Sequence, residues 1–198
     1  MPKRARTSLL ASGSHDARRS PPTARVWDPV VRIFHWTLVL AFGIAYLTRH
    51  WSGDVHQSAG WFAAALVLLR LFWGVVGTPY ARFSQFIRDP ATVVRYLLAI
   101  VRGSESRYVG HNPAGGAMVL ALMAAMAATA ATGWMMTTDA YFGVEWVGRL
   151  HELAAHGLLL LVLVHIGGVV LASYRHRENL VKAMVTGRKR EASAEDIA

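Results

Sequence analysis

Two histidines, His151 and His165, stand fourteen residues apart in one long apolar stretch of the chain. At about 100° per residue, fourteen steps return to nearly the same side of an α-helix, so both imidazoles are predicted on one face. At about 1.5 Å per residue they lie about 21 Å apart along the axis, which is most of the ~30 Å hydrocarbon thickness of a bilayer. A membrane helix with two imidazoles at two depths is typical of a helix that supplies half of the ligands for two stacked cofactors.

The composition is that of an integral membrane protein. The chain has 198 residues, 54% of them hydrophobic, and a mean hydropathy of +0.30. The apolar residues gather in four long runs, and runs of this length are typical of membrane spans. The chain contains no cysteine, which excludes thioether-attached haem, cysteine-bound iron–sulfur clusters, thiol nucleophiles and disulfides.

The four apolar runs predict an all-α fold, namely an integral membrane four-helix bundle. The predicted spans are residues 30–48, 56–77, 113–136 and 149–174, within one domain of residues 25–180. Asp28-Pro29 and Asn112-Pro113 are typical helix starts, with a capping side chain followed by proline in the first turn. Residues 1–24 are basic and rich in Ser, Pro and Ala, which predicts a disordered tail. Residues 181–198 are assigned to a second tail.

A shorter helix is predicted between the second and third spans, over residues 89–102. Asp89 and Pro90 form another start signal, and apolar residues recur at helical spacing between arginines. The segment is too short to span a bilayer, so it is interpreted as an amphipathic helix on the membrane surface. The alternative is a surface helix that packs on nothing in particular.

Lysine and arginine are distributed unevenly along the chain. Seven lie in residues 1–32, five in 78–113 and six in 174–198, against one each in 49–55 and 137–150. The positive-inside rule therefore predicts both termini and the middle loop in the cytoplasm. This asymmetry explains the net charge of +9 without a nucleic-acid partner. Trp51 and Trp146 fall near the predicted outer helix ends, as in an aromatic belt.

This orientation gives each histidine a depth. The first span enters from the cytoplasm, so His35 lies near the inner side. The second and fourth spans enter from outside, so His56 and His151 are outer and His165 is inner. Depth therefore pairs His35 with His165 and His56 with His151, and no other pairing matches.

Two facing histidines at one depth between bundle helices predict a bis-imidazole haem site, with these four residues as axial iron ligands. Two strong axial ligands fill the iron's coordination sphere, so the expected chemistry is electron transfer. A single membrane histidine is more often a packing or proton-relay residue, but four that pair by depth favour haem. Small residues near the ligands are expected to admit the macrocycle: Gly60, Ala154, Ala155, Gly167 and Gly168.

Arg70 and His111 are further candidates. Arg70 follows His56 by fourteen residues, which places it on the same face and near the inner haem plane. There its guanidinium is a candidate cofactor-binding group for a haem propionate, and the alternative is an arginine that reaches the inner headgroups. His111 precedes the third span and could line a quinone or propionate site. For Asn112 the expected role is capping that span.

These residues resemble a known family. The FHW of the first span, the histidine near GW in the second, and the LHE with a histidine fourteen residues later resemble the bacterial cytochrome b561 family, which includes the b-type cytochrome subunits of nickel–iron hydrogenases. The GHNPAGG stretch is similar as well. The resemblance covers residues 25–180 and implies four transmembrane helices, two b haems, and electron transfer between the quinone pool and a redox partner. It implies the same four histidines as ligands. The hydrogenase subunits often carry an additional helix, which favours a stand-alone or differently partnered cytochrome.

The predicted function is therefore a membrane b-type cytochrome that carries electrons between two haems across the bacterial inner membrane. It would link the quinone pool to a redox partner protein in respiratory electron transport. The alternative is an electron-transfer and membrane-anchor subunit of a hydrogenase-like or other oxidoreductase complex. Quinone-linked oxidoreductase activity of the chain alone is a hypothesis. A metal transporter would need ligands converging at one midplane site, and a structural anchor leaves the matched depths unexplained.

Overall fold

The computed structural model describes residues 23–194 and 196–197, so most of the predicted N-terminal tail lies outside it. Four long helices dominate: α1 (Pro29–Thr48), α2 (Gly53–Val76), α5 (Pro113–Met135) and α6 (Glu145–Arg175). The short helices α3 (Phe83–Phe86) and α4 (Pro90–Arg102) lie between α2 and α5, after a 3₁₀ turn at Pro79–Ala81. Strand β1 (Thr23–Arg25) precedes α1, and helix α7 (Leu180–Thr186) and strand β2 (Arg188–Arg190) follow α6.

Three helices begin at the start signals that the sequence predicts. The Oδ1 atoms of Asp28, Asp89 and Asn112 accept hydrogen bonds from backbone N–H groups three residues later, at 2.9, 2.9 and 2.7 Å. In each case a proline occupies the first turn, where a missing N–H costs nothing. These caps fix the entry of α1, α4 and α5.

The long helices form the predicted bundle. All four are long and apolar enough to cross a membrane, and the packed neighbours are α1 with α2, α2 with α5, and α5 with α6. The buried apolar cluster at the centre consists of Ala41, Ala63, Val67, Met123, Met126 and Leu158. The predicted all-α membrane architecture is thus confirmed. Helices α2 and α6 begin three and four residues earlier than predicted, at Gly53 and Glu145.

The bundle has two distinct ends. We call the end with Pro29, Val76, Pro113 and Arg175 the terminal end, and the opposite end, with the 49–52 and 136–144 connections, the loop end. At the terminal end, β1 pairs antiparallel with β2, and the N–H groups of Val26 and Trp27 donate to the carbonyl of Gly187 at 2.9 and 3.1 Å. Gly187 adopts a φ of 79°, a left-handed conformation that suits glycine.

An ionic cluster holds the C-terminal segment to this small sheet. The Arg107 guanidinium bonds both Glu178 and Asp196, at 3.1 and 2.6 Å, and Lys189 lies 3.5 Å from Glu178. The N–H of Val109 also donates to the carbonyl of Ile197 at 3.0 Å. The described residues of the second predicted tail, 181–194 and 196–197, therefore belong to a folded structure on the terminal end of the bundle. We call this structure the terminal cap.

Candidate metal centre

Two pairs of histidines face each other inside the bundle. At the loop end, the rings of His56 on α2 and His151 on α6 have centroids 6.1 Å apart and planes at 85°. At the terminal end, the rings of His35 on α1 and His165 on α6 have centroids 6.5 Å apart and planes at 55°. The structure therefore brings together the four histidines in the two pairs that depth matching selects.

The spacing within each pair suits a metal ion between the two rings. A metal–imidazole bond is about 2 Å long, and the coordinating nitrogen lies about 1.2 Å from its ring centroid. Two collinear ligands therefore place their centroids about 6.4 Å apart, between the observed values of 6.1 and 6.5 Å. Two protein ligands per level fit a metal that brings its other four ligands with it, as haem iron does.

Hydrogen bonds orient the loop-end pair. The Nδ1 atom of His56 lies 2.8 Å from the carbonyl oxygen of Ala45, and Nδ1 of His151 lies 3.0 Å from the carbonyl oxygen of Thr129. Because a carbonyl only accepts, Nδ1 is the protonated donor in both rings. Nε2 is then the unprotonated nitrogen, which is the form that binds a metal.

The terminal-end pair has no such support at His35. Its Nδ1 atom is buried and lacks a hydrogen-bond partner. A buried polar atom without a partner costs free energy, on the order of 1–3 kcal/mol. The unsatisfied nitrogen fits a residue that binds a group from outside the chain.

Glycines leave room close to the ligands. A Cβ added to Gly60, Gly167 or Gly168 would meet no side chain or neighbouring element within 4 Å, and Gly167 and Gly168 are exposed. Gly133 differs, because a Cβ there would approach Cε1 of His151 to 3.1 Å. That glycine is the close neighbour of the His151 ring, and its role was not evident from the sequence.

A packed layer separates the two levels. Leu158 lies seven residues from both His151 and His165, and Ala63 lies seven residues from both His56 and Arg70. Seven residues are almost two full turns, so these small and medium apolar side chains share the ligands' faces midway along the bundle. Both belong to the buried central cluster. The two histidine pairs are therefore separate sites.

Arg70 lies at the terminal end, where the sequence places it. Its side chain is buried, Nη2 donates to the carbonyl of Ala81 at 2.9 Å, and Cζ lies 5.0 Å from the ring centroid of Phe83. Asp28 forms no salt bridge with Arg70, and its carboxylate accepts hydrogen bonds from Val31, Trp73 and Thr78.

His111 lies in an aromatic setting that the sequence did not predict. Its ring centroid is 4.6 Å from that of Trp27 and 4.5 Å from that of Phe86. These contacts come from three separate segments, so no local pattern in the sequence could reveal them. Burial lowers the pKa of His111 to about 3, and the positive charges of Arg70, Lys189 and His165 act in the same direction. The ring is therefore neutral at physiological pH.

Comparison with known families shows to which protein family the chain with these histidine pairs belongs. The model of the prokaryotic cytochrome b561 family matches residues 26–187, which include all four spans and all four histidines. The chain belongs to this family. It is a membrane protein that binds b-type haem and serves electron transfer. The family predicted from the FHW, GW and LHE motifs is thereby confirmed.

Individual relatives are distant but cover nearly the whole chain. A probable Ni/Fe-hydrogenase B-type cytochrome subunit of Bradyrhizobium diazoefficiens is 23% identical over 92% of both chains. The protein of the same description from Rhizobium leguminosarum bv. viciae is 24% identical over 94% of this chain and 98% of its own. One from Rhodobacter capsulatus is 23% identical over 83% of this chain and 80% of its own. No solved structure matches the chain.

The residues present fit b-type haem. The family's cofactor carries four ring nitrogens and needs only axial ligands from the protein, and each level offers two facing imidazoles at the required separation. Without cysteine, the macrocycle can be held only by coordination, packing and hydrogen bonds. When bound, haem supplies an iron that exchanges one electron at a time.

Proposed function

We propose that this cytochrome binds two haems, one per histidine pair, and passes electrons between them along the bundle. His56 and His151 are the proposed axial ligands at the loop end, and His35 and His165 those at the terminal end. The observation that carries the proposal is the pair of ring separations, 6.1 and 6.5 Å, at two levels that share helix α6. The levels are about 21 Å apart along that helix.

The protein's own contribution is to fix the imidazoles and to exclude water. The carbonyls of Ala45 and Thr129 hold the His56 and His151 rings in one tautomer, which also raises their basicity as ligands. With two histidines held at each level, a bound haem would have no iron position open to oxygen or a substrate. The buried layer of Ala63 and Leu158 keeps the space between the two levels dry.

The proposed setting is the bacterial inner membrane, with the terminal end and both chain termini in the cytoplasm. Eighteen lysines and arginines lie in the segments at the terminal end, including the N-terminal tail, and two in the loop-end connections and helix starts, which supports this orientation. Electrons would pass between the quinone pool and a redox partner protein of the respiratory chain. The separation of the two histidine levels is the same for either direction of electron flow.

A second candidate is favoured by the relatives. Those compared are described as probable hydrogenase cytochrome subunits, so this chain is proposed alternatively as the electron-transfer and anchoring subunit of a larger oxidoreductase. Purification of the affinity-tagged chain from its native membranes separates the two. A stand-alone oxidoreductase is purified alone, whereas a subunit is purified together with its partner proteins.

Single histidine substitutions test the two-haem arrangement. We expect His151→Ala to lose the loop-end haem and keep the other, and His165→Ala to lose the terminal-end haem only. His156→Ala is the matched control, because His156 lies on the same helix, is exposed, and faces about 140° away from His151. Pyridine haemochrome quantification per chain is expected to give half the wild-type value for each ligand variant and the full value for the control. Equal loss of both haems in one ligand variant would contradict the pairing.

A further inference from the structure

Arg70 is a buried cation that has no salt-bridge partner among the described residues, and the Asp28 carboxylate acts on its charge only from a distance. Its side chain is 4% exposed, and Nη1 is buried with no hydrogen-bond partner. Within residues 23–194 and 196–197 it forms no ion pair with any carboxylate. A buried charge without a paired partner is strongly destabilising, so an anion bound beside Arg70 would stabilise it.

His111 supplies a second unsatisfied atom at the same end. Its Nδ1 is buried and has no partner, although the ring is fixed between Trp27 and Phe86. The rings of Phe86 and Phe83 connect it to Arg70, with centroids 5.7 Å apart and the guanidinium over Phe83.

The unsatisfied atoms are confined to one end of the bundle. In the described part of the chain, buried side-chain nitrogens without partners belong to four residues: Arg32, His35, Arg70 and His111. All four lie at the terminal end, and none lies at the loop end. The terminal-end level therefore has a surplus of buried donors that the chain itself does not satisfy.

We propose that Arg70 and His111 form a carboxylate-binding site for the propionates of the terminal-end haem. This inference rests on the proposed two-haem function. The Arg70 fork has one nitrogen fixed on the Ala81 carbonyl and another free to donate, which is the geometry for a charge-assisted hydrogen bond to a carboxylate. His111, neutral in this setting, donates from Nδ1. A haem at the level of His165 brings two carboxylates, which supply the missing negative charge.

Haem dimethyl ester is the probe that tests this assignment, because its propionates are esterified and uncharged. Apoprotein produced in haem-deficient cells is titrated with protohaem or with the dimethyl ester, and the occupancy of the two levels is resolved by redox titration of the haem absorbance. We expect the ester to bind the terminal-end level of the wild-type protein roughly tenfold or more weakly than protohaem. In Arg70→Gln, protohaem binding there falls to the ester's value and the discrimination disappears.

Further variants keep the test decisive. Arg70→Lys keeps the charge but loses the fork, so it should show intermediate discrimination. His111→Phe preserves the aromatic contacts and should lose part of the discrimination between protohaem and the ester. Arg82→Gln is the matched control, since Arg82 is an exposed arginine near the same end, and it should discriminate as the wild type does.

Two outcomes overturn the proposal. One is equal affinity of the wild-type terminal-end level for protohaem and ester, and the other is unchanged discrimination in both Arg70→Gln and His111→Phe. If Arg70→Gln fails to fold, the binding of protohaem and of the ester to the wild type and to His111→Phe still tests the proposal. Failure of the two-haem function is distinguishable, because the protein would then bind neither compound at that level.

Discussion

At the scale of single residues, the two histidine pairs differ in what holds their rings. The loop-end rings donate from Nδ1 to backbone carbonyls at 2.8 and 3.0 Å, whereas Nδ1 of His35 has no partner. Fourteen-residue spacing and depth matching predicted which histidines face each other, because helix periodicity is local. The carbonyls of Ala45 and Thr129 were not predictable, since any residue offers a carbonyl and only packing selects one.

Gly133 is the residue through which the proposed loop-end haem can be altered alone. A methyl group there would approach Cε1 of His151 to 3.1 Å, so Gly133→Ala should displace that ring by a few tenths of an ångström. We expect a shifted reduction potential and up to roughly tenfold weaker binding of the loop-end haem, as for other changes near metal ligands. Gly157→Ala, whose Cβ meets nothing within 4 Å, is the control. A redox titration that shows both haems shifted, or neither, would count against the assigned site.

At the scale of elements, α4 has an apolar face against which no described residue packs. Val94, Leu97, Leu98 and Val101 are exposed, while on another side Tyr96 is buried and its hydroxyl donates to the carbonyl of Ser106 at 3.1 Å. Apolar residues at helical spacing between arginines predicted the helix, and Asp89-Pro90 predicted its start. That the helix is anchored on α5 depends on tertiary contacts.

Nitroxide labels test whether α4 lies on the membrane surface, and the absence of native cysteine makes single labels unambiguous. Val101→Cys, at the most exposed apolar position of α4, should place its label in lipid, with stronger collisional broadening by oxygen than by a water-soluble nickel chelate. Arg102→Cys, one residue further on, should show the reverse. Equal access of the chelate to both labels would rule out an interfacial helix.

The terminal cap should open in acid. A hydrogen bond from the backbone N–H of Ser193 is the main cause that lowers the pKa of Asp196, to about 2, and Arg107 acts in the same direction. A pKa below that of the unfolded chain, about 3.9, means that the stabilisation is present above pH 4 and is lost as the pH falls toward 2. We expect pepsin to release the C-terminal segment increasingly over this range. Asp196→Asn should remove this increase in release between pH 4 and pH 2. Release that is independent of pH in the wild type would contradict the prediction.

At the scale of the whole molecule, the sequence predicted the bundle well and the terminal cap poorly. Apolar runs of about 20 residues leave few alternatives to a membrane helix, because backbone polar groups must be satisfied within the span. By contrast, the Arg107–Glu178 and Arg107–Asp196 pairs join residues 71 and 89 positions apart. Such pairs leave no periodic signal, and neither does the pairing of β1 with β2.

Orientation is a property of the whole molecule that single cysteines can measure. We expect His50→Cys, in a loop-end connection, to react with an impermeant maleimide in intact spheroplasts, and Arg177→Cys, at the terminal end, to react only after the membrane is permeabilised. The charge asymmetry is the physical reason. The opposite pattern of labelling would invert the proposed topology and leave the two haem levels in place.

If one chain holds two bis-histidine haems, as proposed, the purified wild-type protein carries two haems per chain. The haem-to-chain ratio, from pyridine haemochrome absorbance and amino-acid analysis, should be two. Because the ring planes of the pairs differ, at 85° and 55°, the ferric protein should give two distinct low-spin EPR signals. A ratio of one or less in well-folded protein would contradict the account.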